Sequence, residues 1–61
     1  MKYGVNNVRG ERISNWFSYL IGSGDRREGA FETDDINLAY RYCEVLGARF
    51  SDKPFSVVEV Q

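Results

Sequence analysis

Residues 31–47, Phe-Glu-Thr-Asp-Asp-Ile-Asn-Leu-Ala-Tyr-Arg-Tyr-Cys-Glu-Val-Leu-Gly, constrain this chain more than any other stretch. They predict one complete helix. Thr33 is placed to be its N-cap, because a threonine hydroxyl can accept a bond from one of the first free backbone N–H groups. Asp34 and Asp35 follow in the first turn, where the positive end of the helix dipole favours carboxylates. Gly47 can adopt the left-handed conformation that closes a helix. At helical spacing, Ile36, Ala39, Tyr40, Cys43 and Leu46 form the stripe expected to cover a sheet, and Asn37, Arg41 and Glu44 mark the solvent side. Leu38, Tyr42 and Val45 form a second, displaced stripe. A single helix on a small sheet ordinarily buries one face, so either residues 16–21 or Phe50 fold back over the second stripe, or that stripe meets another chain.

That partner is a question of size. With 61 residues the chain has room for one domain, residues 1–61. A domain this small buries only about 60% of the surface its unfolded chain exposes, so its stability depends on supplements. Disulfides, a metal or oligomerisation are the usual ones. One cysteine and no histidine rule out an intramolecular disulfide and a Cys/His zinc site. Nine aromatic residues, or a partner chain, are left to complete the core. Eight basic and nine acidic side chains give a net charge of −1, which provides no global field for nucleic acid or anionic membrane. No apolar run approaches about 18 residues and no leader pattern opens the chain. A soluble, cytoplasmic protein with no membrane partner is expected.

The remaining elements are shorter. Residues 2–8 predict a weak strand with Tyr3 and Val5 on one face, and Val8-Arg9-Gly10 supplies a turn. Residues 11–21 fit two periods. Ile13, Phe17, Tyr19 and Ile21 alternate as in a strand, whereas Ile13, Trp16, Phe17, Leu20 and Ile21 also fit a helix. Aromatic and β-branched enrichment and the interior Ser14-Asn15 favour the strand, which would set Trp16 and Leu20 opposite Phe17 and Tyr19. Residues 22–29 read as a mobile glycine-rich connection, and Ser51 to Pro54 as a turn into a last strand over 55–60. In that strand Val58 and Val60 point one way and Phe55 and Val57 the other, which suggests an interior position in the sheet. The predicted fold class is α+β, a small β-β-α-β sandwich with one helix packed across a short antiparallel or mixed sheet.

Catalytic constellations are mostly missing. Without histidine there is no Ser-His-Asp or Cys-His pair and no ordinary proton shuttle near neutral pH. Cys43 on the main apolar stripe reads as a buried, inert thiol. Asp34 and Asp35 diverge by about 100° on a helix and do not converge on one metal ion. Gly22-x-Gly24 lacks the lysine and hydroxyl residue of a phosphate loop. No enzyme activity, cofactor or metal is expected. Arg9, Arg12, Arg26 and Arg27 lie in the same half as Tyr3, Trp16, Phe17 and Tyr19, an interleaving that could steer and stack single-stranded nucleic acid. Glu11, Asp25 and Glu28 break up that basic character.

Several short features occur together: Tyr3 in the first strand, a glycine turn, Ile13-Ser14 followed by Trp16, Ala30-Phe31-x-Thr33, a helix ending Leu46-Gly47, and the closing Val57-Val58-Glu59-Val60. In this the chain resembles the small orphan accessory proteins of bacteriophage and prophage genomes. The resemblance implies a protein that binds and blocks a host factor in the bacterial cytoplasm, and it transfers no catalytic residues. The expectation from the sequence is a non-enzymatic protein-binding module, also a homodimer, using Leu38, Tyr42, Val45, Trp16 and Leu20. The alternative is a small nucleic-acid or nucleotide binder using Arg9, Arg12, Arg26, Arg27, Tyr3 and Tyr19.

Overall fold

The backbone groups of successive strand residues point to opposite edges, and the first strand pairs on both. A computed structural model describes residues 1–22, 29–51 and 53–60. Strand β1, Lys2–Asn6, pairs antiparallel with β2, Ser56–Val60, setting Val5 opposite Val57 and Gly4 opposite Val58. On its other edge β1 is flanked by short bridging pieces. Tyr3 exchanges backbone bonds with Thr33 at 2.7 and 2.9 Å, and Ile13 donates to the Val5 carbonyl at 2.7 Å. The interior position therefore belongs to β1. β2, predicted to be interior, has β1 as its sole strand partner among the described residues.

The predicted turn at Val8-Arg9-Gly10 is present. The Asn7 side chain accepts from the backbone of Arg9 and Glu11 at 3.0 and 2.9 Å, and Gly10 takes a φ of 81°. An asparagine that satisfies the following backbone and a glycine that tolerates positive φ together make this turn local and self-sufficient.

Residues 15–21, favoured as a strand from composition, instead form a 3-10 helix, Asn15–Ile21. Ser14 in extended conformation caps it, its hydroxyl accepting from the Trp16 N–H at 3.0 Å. Gly22, at φ 78°, closes it by returning its N–H to Ser18 and Tyr19. The Ser14-Asn15 pair, which weighed against a helix interior, is the cap and first residue of the helix, where such side chains are favoured. The connection over 22–29 falls for the most part outside the described residues, and Arg26 and Arg27 with it.

Helix α1 spans Ile36–Arg49. Its cap is Asp35, which accepts from the Asn37 N–H at 2.9 Å, and Thr33 stands two residues outside. Thr33 exchanges both of its backbone bonds with Tyr3, so its carbonyl is not free to accept the first bond of the helix, and its hydroxyl instead accepts from the Asp35 N–H. Gly47 lies inside the helix with an ordinary negative φ; the helix runs on to Arg49, whose cation suits the negative end of the dipole. α1 packs on β1, β2 and the 3-10 helix. The core between them is Val5, Ile21, Phe31, Ala39, Tyr42 and Leu46. Tyr3 and Val57 close against it from the sheet, and Phe55 from just before β2. The α+β class with one helix across a short antiparallel sheet is the observed architecture.

Candidate interaction surfaces

The two stripes of α1 are one wide face with its middle buried. Ala39 and Leu46 from the first stripe and Tyr42 from the second are all 1% exposed or less. Leu38 and Val45 are half-buried against the same core. The expected free surface of Leu38, Tyr42 and Val45 is therefore corrected: Tyr42 is the largest fully buried side chain of the molecule. The face opposite it is supplied by Phe31, whose ring lies 4.2 Å from that of Tyr42, and by the start of the 3-10 helix. Two residues of the stripe assigned to the core, Ile36 and Tyr40, instead emerge at the other flank, 38% and 58% exposed. The eight apolar positions make a single arc whose centre falls at Ala39 and Leu46.

Tyr42 also fastens the 3-10 helix. Its hydroxyl donates to the Ser14 carbonyl at 2.7 Å and accepts from the Phe17 N–H, so one buried oxygen holds both sides of the helix start. Burial pushes the phenol up to about 12, with Tyr19 adding to the rise and the Phe17 N–H opposing it.

A 3-10 helix repeats every three residues, so its side chains eclipse in rows. Asn15, Ser18 and Ile21 make the buried row. Phe17 and Leu20 make a half-buried row, with Phe17 edge-on to Phe50 at 5.1 Å between ring centres. Trp16 and Tyr19 make the third row, 62% and 44% exposed. Of the five residues expected to bind protein, the structure sets Trp16 and Leu20 on neighbouring rows of this helix. It places Leu38, Tyr42 and Val45 beneath, in or against the core.

Of the arginine-aromatic set of the alternative reading, Arg9, Arg12, Tyr3 and Tyr19 fall among the described residues. Arg9 is paired with Glu11 at 3.6 Å in an exposed contact. Arg12 lies flat across the outer face of the sheet, where Gly4 has no side chain to obstruct it, and its Nε donates to Asn6 at 3.0 Å. Tyr3 is half-buried in the sheet, on the core side, whereas Tyr19 is exposed on the 3-10 helix. Arg26 and Arg27 lie outside the described residues.

Other chemistry is sparse. A cavity of about 200 Å³ is lined by Asn7, Ile13, Phe17, Leu46, Phe50 and Phe55. Its one polar side chain, Asn7, already bonds Glu11 and two backbone N–H groups. The thiol of Cys43 is half-buried and pushed up by desolvation, which disfavours the reactive thiolate. Among the described residues no cluster of three acidic or thiol side chains comes together, and no helix is long and apolar enough to cross a membrane. No protein-family model matches the chain, and no curated protein and no solved structure matches it significantly.

Proposed function

We propose that this protein is a non-enzymatic protein-binding module that grips a cellular protein with the Trp16–Tyr19 row of its 3-10 helix, bordered by Leu20. The observation that supports this reading is an exposed tryptophan and tyrosine aligned on a helix whose other rows are fixed to the core. Tryptophan and tyrosine dominate the energetics of protein interfaces. A row already held by Ser14 and Tyr42 gives up little freedom on binding, which leaves more of the contact energy as affinity. In the accessory role that the phage resemblance implies, the occupied surface is that of a host factor, and occupancy blocks it.

Affinity capture from bacterial lysate, run side by side with wild type and a Trp16→Ala/Tyr19→Ala variant, tests this. A protein retained by wild type and released by the variant is the expected result. For an anchor worth about 2 kcal/mol the loss in affinity is roughly thirtyfold. Equal retention by both would remove the row from the interface. Retention of a single-stranded oligonucleotide in place of a protein, lost when Arg9 and Arg12 are replaced, would favour the nucleic-acid alternative.

A further inference from the structure

Two unfinished features lie on the same side of the molecule. The first is the outer edge of β2. Tyr3 and Val5 direct their backbone groups to Thr33 and Ile13, so Lys2, Gly4 and Asn6 are the β1 residues that bond to β2. Their partners Val60, Val58 and Ser56 face inward, and Val57 and Glu59 present N–H and C=O groups outward. Among the described residues no strand or bridge meets them.

The second is the exposed flank of α1. Tyr42 leans towards Ser14 and Phe31, which lie beyond β1 on the side away from β2. Travelling round the helix from Tyr42 through the buried Leu46 and Ala39 leads to half-buried Cys43 and exposed Ile36 and Tyr40. That flank therefore stands above the β2 edge. Gly47 lies on the same flank with open space where a Cβ would stand, so a neighbouring helix could approach closely.

We propose that a second copy of this chain pairs with the open edge of β2, two-fold about Val58, and in the same contact covers the Ile36–Tyr40 flank of α1. The register is self-complementary. Centred on Val58 it pairs Ser56–Val60 along its whole length and bonds Val57 of each copy to Glu59 of the other. It sets Val58 against its own copy and keeps the two carboxylates from standing directly opposite. Centring on Glu59 would face the two carboxylates and shorten the overlap, and centring on Val57 would shorten it equally. A stable interface needs about 800 Å² from each partner, near a fifth of this chain's 4271 Å² surface. A five-residue edge falls short of that, whereas edge and helix flank together form a two-layer contact. The result is a four-stranded sheet carrying two helices on one face.

Sedimentation equilibrium of the full chain, from low micromolar to millimolar concentration, tests this together with hydrogen exchange. A mass rising to twice that of the chain is expected, with the Val57 and Glu59 amides becoming protected as it rises. Glu59→Pro removes an outward donor without touching the β1 ladder, and Tyr40→Glu places charge on an already exposed position of the flank. Each is expected to remain monomeric at every concentration with an unchanged circular dichroism spectrum. If Glu59→Pro fails to fold, Tyr40→Glu and the wild-type amide exchange decide. A wild type that stays monomeric, a dimer in which those two amides exchange freely, or a Tyr40→Glu variant that dimerises as wild type does would each overturn the proposal. The Trp16–Tyr19 row lies at the other side of the molecule, so these outcomes are independent of its binding.

Discussion

The two helical segments of this chain use the same kinds of residue to opposite ends. In α1 a tyrosine flanked by apolar neighbours is sealed inside, its hydroxyl satisfied at both lone pair and proton. In the 3-10 helix a tryptophan and a tyrosine stand in water while an asparagine and a serine are buried beneath them. The period explains the inversion. A 3.6-residue repeat spreads eight apolar positions into one broad arc whose centre must be buried. A three-residue repeat sorts Asn15–Ile21 into discrete rows, and the row of Asn15, Ser18 and Ile21 goes inward. In the 3-10 helix burial thus follows the period more closely than side-chain hydrophobicity, although the core it joins is apolar.

Removing the buried tyrosine strikes that comparison hardest. Tyr42→Ala deletes the largest fully buried side chain, its contact with Phe31 and its hold on the 3-10 helix. Aromatic truncations in cores cost about 3–5 kcal/mol, comparable to the whole stability of so small a domain. Urea titration followed by circular dichroism is expected to show little or no folded baseline. Tyr42→Phe keeps the ring and leaves the Ser14 carbonyl and the Phe17 N–H without their partner, a loss of about 1–3 kcal/mol.

Alkali gives a graded version of the same test. In the folded chain Tyr42 keeps its proton to about pH 12, whereas in the unfolded chain it releases it near 10.0. Ionisation therefore favours the unfolded state as pH rises. The stability contributed by the neutral phenol is fully present below pH 10 and declines between 10 and about 12. The decline amounts to roughly 2–3 kcal/mol at the top of that window. In Tyr42→Phe this component of the pH dependence should be missing, which urea midpoints across the window would show.

How much of this was legible in the sequence depended on what competed for each backbone group. The turn at Asn7–Gly10 was readable because it satisfies itself with adjacent residues. The last strand and its division into Val58–Val60 and Phe55–Val57 faces followed from a period of two that nothing opposes. The helix start was displaced because Thr33 is claimed by Tyr3, a pairing across thirty residues that no local pattern announces. Gly47 was assigned to the stop for want of any sign that the helix could continue to Arg49. In the candidate surface, Trp16 and Leu20 were named on a presumed strand, and the 3-10 helix turned them onto adjacent rows. Of the two readings of the Leu38-Tyr42-Val45 stripe, the structure favours the one in which residues 16–21 fold back over it, for the start of the 3-10 helix lies against Tyr42.

Gly47 offers a smaller effect of the opposite sign. It is interior to α1, has ordinary helical φ, and would meet nothing within 4 Å if given a Cβ. Gly47→Ala is therefore expected to stabilise the monomer by about 0.5–1 kcal/mol, measured at low protein concentration. A fall in stability would show that the helix needs its glycine for a contact already made within one chain.

Trp16→Ala carries the smallest expected change in stability and the sharpest bearing on the contrast between the two helices. A large aromatic residue that served folding would cost several kcal/mol to remove, as Tyr42 does. Trp16 is 62% exposed and contributes to the 3-10 helix mainly a backbone N–H, which Ser14 accepts and which alanine retains. Its truncation is expected to shift the urea midpoint by no more than about 0.5 kcal/mol. A loss as large as that of Tyr42→Phe would mean that the tryptophan belongs to the core after all, and the binding row would lose its anchor. If stability holds, Trp16 stands in water with no benefit to its own fold, which leaves it free to serve as the anchor of the proposed binding row.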